Sequence, residues 1–436
     1  MPSTVKKRVA KKKARTKSKA AAVPAARRVA PGKGAAKERA AKKRSFRHGP
    51  LSGIRIVDLT NVVMGPFATH ILADMGADVI KVEAPEGDLM RKYKPMRNPG
   101  MSGNILNLHR NKRCIVLDLK NAVHRGALDR LIATADVFVH ALRPRTIAAL
   151  GYAYSRVRKL KPDIIYCGAY GFGAKGPYGD KAAYDDLIQA GGGLASLAER
   201  VTGTAAYVPS VICDKLTGQA IAYAILAGIV QRQNGGGGQV IEVPMFETSV
   251  EFMLVEHMSG FTFKPPLGRA GFTRILERSR KPYRTKDGFA CILPYSDRNW
   301  VDFFDFTGRT EFKGDPRYAK LADRVPNIDV LYRMIAAEAP KRTTAEWVRF
   351  CDSVSIPCMP VLGLEELPDD AHLKAVGMFR PTQHPSEGEY LDVRRAVSFG
   401  NAAYKTRRPA ARLGEHTAQV LAEIGMSKKE IAGIVS

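Results

Sequence analysis

The sequence predicts an α/β protein whose large domain is a Rossmann-like open parallel sheet, accompanied by a smaller α+β domain. Between residues 54 and 167, short apolar runs alternate with helical patterns, which is typical of an open α/β sheet. Glycine-rich breaks separate several of these units. From about Phe261 the pattern changes to a short apolar strand followed by several helical stretches, which indicates a second domain.

The chain is long enough to bury a large core and to form more than one domain, since it has 436 residues. We expect a disordered basic tail at 1–47 and the first part of the large domain at 48–250. The small domain is expected at 265–365, and a C-terminal return to the large domain at 375–436.

The tail at 1–47 contains 18 Lys or Arg and one Glu, and so carries most of the net charge of +27. It has almost no large apolar residues, so it cannot bury enough surface to fold alone. Clustered cations release counterions from phosphate, so weak binding of a polyanion by the tail stays open. A protein that is not an enzyme and acts through this binding is one alternative. A targeting peptide is less favoured, because the stretch has no Leu and a single Phe near its end, whereas an amphipathic presequence has several such residues.

The folded part begins with a strand at 54–59, a turn at 61–66, a helix at 67–75 and a strand at 78–83. Pro66 suits the first position of the helix. A strand–helix–strand unit predicts parallel strands with a right-handed crossover. The turn has one glycine where a dinucleotide fingerprint has three, so NAD or FAD is not expected.

The same alternation continues along the chain. Further strands are predicted at 113–119, 136–140, 163–167 and 239–243, and helices at 126–135, 146–150, 154–160, 184–190 and 245–258. Ligands of such sheets bind at the carboxyl ends of the strands. The site is therefore expected among the loops at 60–66, 84–92, 140–145 and 168–184.

The smaller domain is predicted from one apolar strand and four helical patterns. The strand is expected at 290–293, and the helices near 297–306, 316–322, 329–338 and 344–353. Residues 356–361 are interpreted as the return to the large domain.

Asp214 is the strongest candidate for chemistry. A small-apolar run at 208–213 leads to this carboxylate, and a long apolar helix follows it up to Val230. At the N-cap of that helix the carboxylate is expected to be held ionised by the helix dipole. Such a carboxylate serves as a nucleophile, although a lone Asp before a helix is more often only a cap. The neighbouring Cys213 is the second candidate, but it is expected to face away.

The six cysteines show no paired spacing for a metal, so no metal site is predicted, and buried free thiols are expected. Free thiols fit a reducing compartment, and a cytoplasmic location is predicted. No apolar run looks long enough to span a bilayer, and no signal-peptide core follows Met1, so no association with membranes is expected.

Several short stretches together carry a family likeness. They are residues 51–59 with Gly65 and Pro66, residues 76–83, 111–113, 117–118, Tyr184 with Asp185, Asp214 before its helix, residues 282–283, 287–288 and 413–417. In this order and spacing the chain resembles the class III coenzyme A transferases, the superfamily of formyl-CoA transferase, carnitine CoA-transferase and 2-methylacyl-CoA racemase. The likeness spans roughly residues 51–433.

The resemblance implies a large Rossmann-like domain and a small domain, with two chains interlocked in an obligate homodimer. It implies that a CoA thioester is a substrate and that no cofactor is permanently bound. The family's nucleophilic aspartate falls on Asp214. The implied reaction moves coenzyme A from an acyl-CoA to a carboxylic acid through an aspartyl-CoA thioester.

The alternative is a 2-methylacyl-CoA-type racemase or epimerase, or an intramolecular CoA transferase. Racemases of the family carry a histidine at the position of Tyr184, paired with the aspartate for proton transfer at the α-carbon. A tyrosine has a reference pKa of about 10 and is a poor base near neutral pH. Tyr184 therefore favours acyl transfer.

The resemblance also implies a CoA site. Its expected residues are Asn61, Val62, Val63, Met64, Gly65, Leu117, Ala141 and Leu142, with Arg91, Lys112, Arg113, Arg143 and Arg145 as candidate cations for the CoA phosphates. Amides at the start of the helix near Gly65 are expected to stabilise an oxyanion.

This chain departs from formyl-CoA transferase at several of these places. The His and Gln of its first turn are replaced by Asn61 and Val63, and its adenine-side Arg by Ala84. An Asn and an Arg of its fourth-strand loop fall on Ala141 and Ala149. Its tetraglycine loop has no counterpart near residues 270–282. Exchange between formate and oxalate is therefore not expected.

Overall fold

The structure, a computed structural model, describes residues 49–400 and 405–435. The predicted tail at 1–47 lies outside the described residues. Six parallel strands form the main sheet: β1 (Arg55–Leu59), β2 (Asp78–Glu83), β3 (Lys112–Val116), β4 (Val137–His140), β5 (Ile165–Tyr170) and β6 (Gln239–Pro244). The predicted α/β class and parallel sheet are confirmed.

The order of these strands is β3-β2-β1-β4-β5-β6. Successive strands are added in one direction from β1 to β3 and in the other from β4 to β6. The loops that follow β1 and β4 therefore diverge and leave a crevice between them.

Helices cover both faces of the sheet. In chain order they are α1 (Met64–Asp74), α2 (Gly103–His109), α3 (Ala122–Ala133), α4 (Pro144–Ala149), α5 (Tyr154–Leu160), α6 (Asp185–Gly191), α7 (Leu194–Thr202), α8 (Ile212–Gln231) and α9 (Met245–His257). α1 and α8 bury Leu72 and Ile221 on one face. α3 and α5 bury Leu128 and Val157 on the other.

α8 packs closely on the first turn of α1. A Cβ at Gly218 would lie 2.7 Å from the carbonyl oxygen of Met64 and 2.9 Å from the ring of Phe67. Only glycine permits this approach. The packing brings the start of α1 beside the start of α8, where Asp214 lies.

The second sheet has the antiparallel order β7-β8-β9, formed by β7 (Tyr283–Arg284), β8 (Phe289–Ile292) and β9 (Cys358–Pro360). Its helices are α10 (Asp297–Thr307), α11 (Pro316–Ala319), α12 (Leu321–Arg324), α13 (Ile328–Glu338) and α14 (Thr344–Ser353). They enclose a core around Phe303 and Trp347. The expectation that residues 356–361 return to the large domain was wrong, because Cys358 pairs with Ile292.

The C-terminal part packs back against the main sheet. Its elements are α15 (Ala371–Ala375), the hairpin of β10 (Phe379–His384) with β11 (Gly388–Val393), α16 (Thr417–Glu423) and α17 (Lys428–Val435). Arg110 pairs with Asp392 at 2.7 Å. The amide of His416 donates to the carbonyl of Cys114 at 2.9 Å.

One helical stretch, Ile212–Gly236, is long and apolar enough to cross a bilayer, contrary to the expectation that no run has that length. Half of its most apolar part is buried inside this chain, and the core helices of water-soluble proteins have the same length and composition. Four of the six cysteines are buried free thiols as expected, whereas Cys291 is exposed and Cys358 is half-buried.

Candidate active site

A cavity of about 350 Å³ lies at the crevice between the loops that follow β1 and β4. Its walls come from those two loops, the end of β5, the segment before α6 and the first turns of α8 and α9. The lining residues are Leu59, Asn61, Val62, Met64, Ala141, Leu142, Arg143, Thr146, Tyr170, Gly171, Lys181, Ala182, Ala183, Tyr184, Asp214 and Met245. Three of the four loops expected to hold the site contribute to it, and the loop at 84–92 does not.

Asp214 is the third residue of α8 and not its N-cap, because the helix begins at Ile212. Its backbone amide donates to the carboxylate of Asp185 at 2.9 Å. No Lys, Arg or His among the described residues forms an ion pair with its side chain. Asp214 thus places an uncompensated carboxyl group in the cavity wall.

Burial and, next, the nearby carboxylate of Asp185 raise the pKa of Asp214 to about 7. Desolvation penalises the charged form of a carboxyl group, and a like charge adds to that penalty. These effects outweigh the favourable field of the helix N-terminus. Burial thus opposes the ionised form of Asp214, contrary to the expectation that the helix dipole holds it ionised.

Asp185 and Gln189 form a clamp that positions the segment before Asp214, and the sequence analysis gave neither a role. Asp185 is buried and accepts from the side chain of Gln189 at 2.6 Å. Gln189 in turn accepts from the amide of Val208 at 2.9 Å and donates to the carbonyl of Ser210 at 3.2 Å. A signal was present, because an Asp and a Gln four residues apart share one helix face.

Tyr184 occupies the N-cap position of α6 without capping it, and its side chain lines the cavity while 67% exposed. The structure thus brings Tyr184 and Asp214 to one cavity. Cys213, the alternative nucleophile, is fully buried, and burial raises its pKa to about 11, so it is a poor candidate.

The turn after β1 forms a further part of the wall. α1 begins at Met64, earlier than predicted, so Pro66 is its third residue. A Cβ at Gly65 would lie 2.2 Å from the side chain of Thr60, so the turn needs glycine there. Among the described residues no acceptor pairs with the amides of Met64 or Gly65, which are donors at a helix N-terminus. Val63 lines a different cavity, together with His70 and Lys215.

Two cations lie in the cavity wall. Arg143, which was predicted, donates to the backbone carbonyl of Asp180 at 2.7 Å. Lys181, which was not predicted, lies over the ring of Tyr178 with its ammonium 5.1 Å from the ring centre. Arg145 is exposed on α4 and does not line the cavity.

The other expected CoA-binding cations serve the fold. Arg91 pairs with Glu83 at 2.7 Å, and Arg113 pairs with Asp78 at 2.6 Å. Lys112 donates to Thr69 at 2.8 Å. Leu117 lies in the core. The charges of the three cations are committed to internal partners, and none of the four residues lines the cavity.

Comparison with known proteins gives an independent view of this site. The family model for CoA-transferase family III matches residues 51–417. The chain is 32% identical over 386 residues to a succinate–glutarate CoA-transferase of Agrobacterium fabrum, covering 87% of this chain and 96% of that protein. It is 30% identical over 412 residues to a formyl-CoA:oxalate CoA-transferase of Afipia carboxidovorans, covering 88% and 96%.

A solved structure of a CAIB/BAIF family protein from Brucella suis has a similar fold. It superposes with a TM-score of 0.75 at 26% identity, covering 86% of this chain and all of that one.

Proposed function

The chain belongs to CoA-transferase family III, and we propose that it moves coenzyme A from an acyl-CoA donor to a carboxylic acid acceptor, with Asp214 as nucleophile. The observation that carries this proposal is the placement of Asp214. It is the one acidic side chain in the cavity wall, it lacks a cation partner among the described residues, and two cations share the wall with it.

The proposed reaction proceeds through acyl transfer to and from Asp214. The carboxylate attacks the thioester carbonyl, and CoA leaves as a thiolate while a mixed anhydride forms. The thiolate then attacks the aspartyl carbonyl of that anhydride, which releases the donor acid and leaves an aspartyl-CoA thioester. The acceptor carboxylate attacks the carbonyl of this thioester, which expels the CoA thiolate and forms a second mixed anhydride. The thiolate then attacks the acceptor's carbonyl in that anhydride, which gives the new acyl-CoA and releases the carboxylate of Asp214.

The environment of Asp214 suits this role. A carboxylate with a pKa near 7 is a stronger nucleophile than one with an ordinary pKa, while a useful fraction is still ionised at neutral pH. The amides of Met64 and Gly65 are donors for the oxyanion of each tetrahedral intermediate. The apolar residues Ala141 and Leu142 suit the pantetheine arm of CoA, and Arg143 suits one of its phosphates.

We propose dicarboxylates as substrates. Lys181 places a positive charge in the cavity that holds Asp214, and a second carboxylate on the acid would bind it. The named activities of the relatives, succinate–glutarate and formyl-CoA:oxalate transfer, involve dicarboxylic acids.

We also propose the interlocked homodimer as the active form. Its support is the apolar surface of the helices beside the cavity. On α9, which lines the cavity through Met245, Val255 is 82% and Phe252 59% exposed, and on α8 Tyr223 is 63% exposed. Large apolar side chains exposed on neighbouring helices are typical of an interface.

Transfer of CoA from succinyl-CoA to a panel of mono- and dicarboxylates tests the function. We expect transfer to dicarboxylates that is lost in Asp214→Ala while the variant stays folded. Incubation of a 2-methylacyl-CoA in D₂O without an acceptor acid tests the racemase alternative. Deuterium at the α-carbon in that experiment, with no CoA transfer in the first, would replace our proposal by the racemase.

A further inference from the structure

The turn that lines the cavity together with Asp214 contains a backbone conformation that β-branched residues disfavour. Val62 has φ = 68°, in the left-handed region that β-branched residues rarely adopt. Its neighbours Asn61 and Met64 line the cavity with it. Something outside the turn must hold Val62 in this conformation.

That support comes from Asp88, in the loop after β2. The amide of Val62 donates to both carboxylate oxygens of Asp88, at 3.2 and 3.3 Å. The side chain of Asp88 is fully buried and also accepts from the amide of Met90 at 3.0 Å. Asp88 is therefore held on several sides, and it anchors the peptide group that leads into Val62 at its positive φ.

Lys81 completes the arrangement from the middle of β2. Its ammonium lies 2.9 Å from Asp88 and donates to the carbonyl of Thr60 at 2.6 Å. Lys81 thus binds both Thr60, which precedes the turn, and Asp88, whose carboxylate accepts from the amide of Val62. Neither Lys81 nor Asp88 lines the cavity, so each can act on a ligand only through the turn.

We propose that Asp88, with Lys81 as its counterion, is a positioning residue that keeps Val62 in the left-handed region and so sets the part of the cavity wall that the turn after β1 forms. This inference rests on the proposed function, since the ligand in question is the acyl-CoA. It gives the loop at 84–92 a role in the site without contact with the ligand.

The test compares Asp88→Asn in two backgrounds, wild type and Val62→Gly. Asparagine keeps the shape of the side chain but removes the charge opposite Lys81. In wild type we expect kcat/KM for acyl-CoA to fall about tenfold or more, because misplaced groups lose catalysis steeply. Glycine adopts positive φ without a steric penalty, so in the Val62→Gly background the loss should shrink to about threefold or less.

Asp78→Asn is the matched control. It breaks the ion pair between Asp78 and Arg113 at the amino end of the same strand. It should leave kcat/KM within about twofold in both backgrounds. An equal loss from Asp88→Asn in both backgrounds, or no loss in either, would overturn the inference. If Asp88→Asn does not fold, the pair Lys81→Met with Asp88→Leu, which removes both buried charges, replaces it in both backgrounds.

A crystal structure of Asp88→Asn separates this inference from the function. We expect Val62 at negative φ in the variant. A protein that transfers no CoA at all would refute the proposed function, and the angle at Val62 would still decide the positioning role. Val62 unchanged at positive φ would contradict that role even in an active enzyme.

Discussion

The two edges of the main sheet carry similar residues in opposite electrostatic states. At the amino ends of the strands, a cavity of about 470 Å³ is lined by four arginines, Asp78 and Glu423. There Asp78 lies 3.0 Å from Arg55 and 2.6 Å from Arg113. At the carboxyl ends, the smaller cavity holds Asp214 with no ion pair among the described residues. Compensation of charge, and not volume, separates a structural acid from a reactive one.

The difference arises from topology. The carboxyl ends of β1 and β4 separate at the reversal of strand order, so their loops leave room for a ligand. At the amino ends, the C-terminal helix α16 brings Glu423 to within 2.7 Å of Arg113. Glu423 thus adds a second carboxylate, and the amino ends of the strands carry a network of ion pairs.

The largest expected effect is the difference in CoA-transfer activity between variants of Asp214 and of Asp78. Asp214→Asn should lower the rate of CoA transfer by at least about 10⁴-fold, because it removes the nucleophile. Asp78→Asn should keep the rate within about twofold. Initial rates with succinyl-CoA and glutarate check both, with circular dichroism to confirm folding. Comparable losses of activity in the two variants would contradict the distinction between a reactive and a structural acid.

The second largest effect concerns assembly of the proposed dimer through the helices beside the cavity that holds Asp214. Val255→Asp places a charge on the exposed apolar face of α9 and should prevent the proposed dimer from assembling, with activity falling about 100-fold as the interface is lost. Light scattering should then give the mass of one chain, 47.7 kDa, where the wild type gives twice that. A wild-type protein that is monomeric and fully active would contradict the proposed dimer.

The third effect is a dependence of activity on pH. Because the pKa of Asp214 is raised to about 7, its ionised fraction increases as pH rises through that value. We expect kcat/KM to increase about tenfold between pH 6 and pH 8, with the same profile in Asp78→Asn. A profile that is flat across this range would show that Asp214 is already ionised at pH 6.

The smallest effect is on stability and has opposite signs at the two edges. A carboxyl whose pKa is raised on folding contributes stability below its unfolded pKa, and this contribution is lost as pH rises through the folded value. Asp214→Asn should therefore stabilise the protein at pH 8, by up to about 4 kcal/mol, and have little effect near pH 4. Asp78→Asn should destabilise it at pH 8. Thermal unfolding at both pH values measures these shifts.

Much of the fold was predictable because its signals are local. The strand at 78–83 and the helix at 154–160 were predicted with their observed bounds, since each is a periodic segment with clear ends. The first helix was placed three residues late, because Pro66 is tolerated anywhere in the first turn, where amides lack helical partners. The hairpin of β10 and β11 was missed.

The site was only partly predictable, because charge pairing depends on distant residues. Asp214, Tyr184 and Arg143 all line the cavity, and the catalytic and CoA-binding roles assigned to them stay predictions. Arg113 was assigned to phosphates, but it pairs with Glu423, which lies 310 positions away. The raised pKa of Asp214 likewise comes from burial in the fold and from Asp185. A sequence shows which residues carry charge, and only the fold shows which charges are compensated.

The most direct test of the central claim is mass spectrometry of the protein after incubation with succinyl-CoA and no acceptor. We predict a covalent CoA adduct on the peptide that contains Asp214, lost on adding glutarate and absent from Asp214→Asn. An active enzyme that forms no such adduct, or one that carries it on another residue, would contradict the role assigned to Asp214.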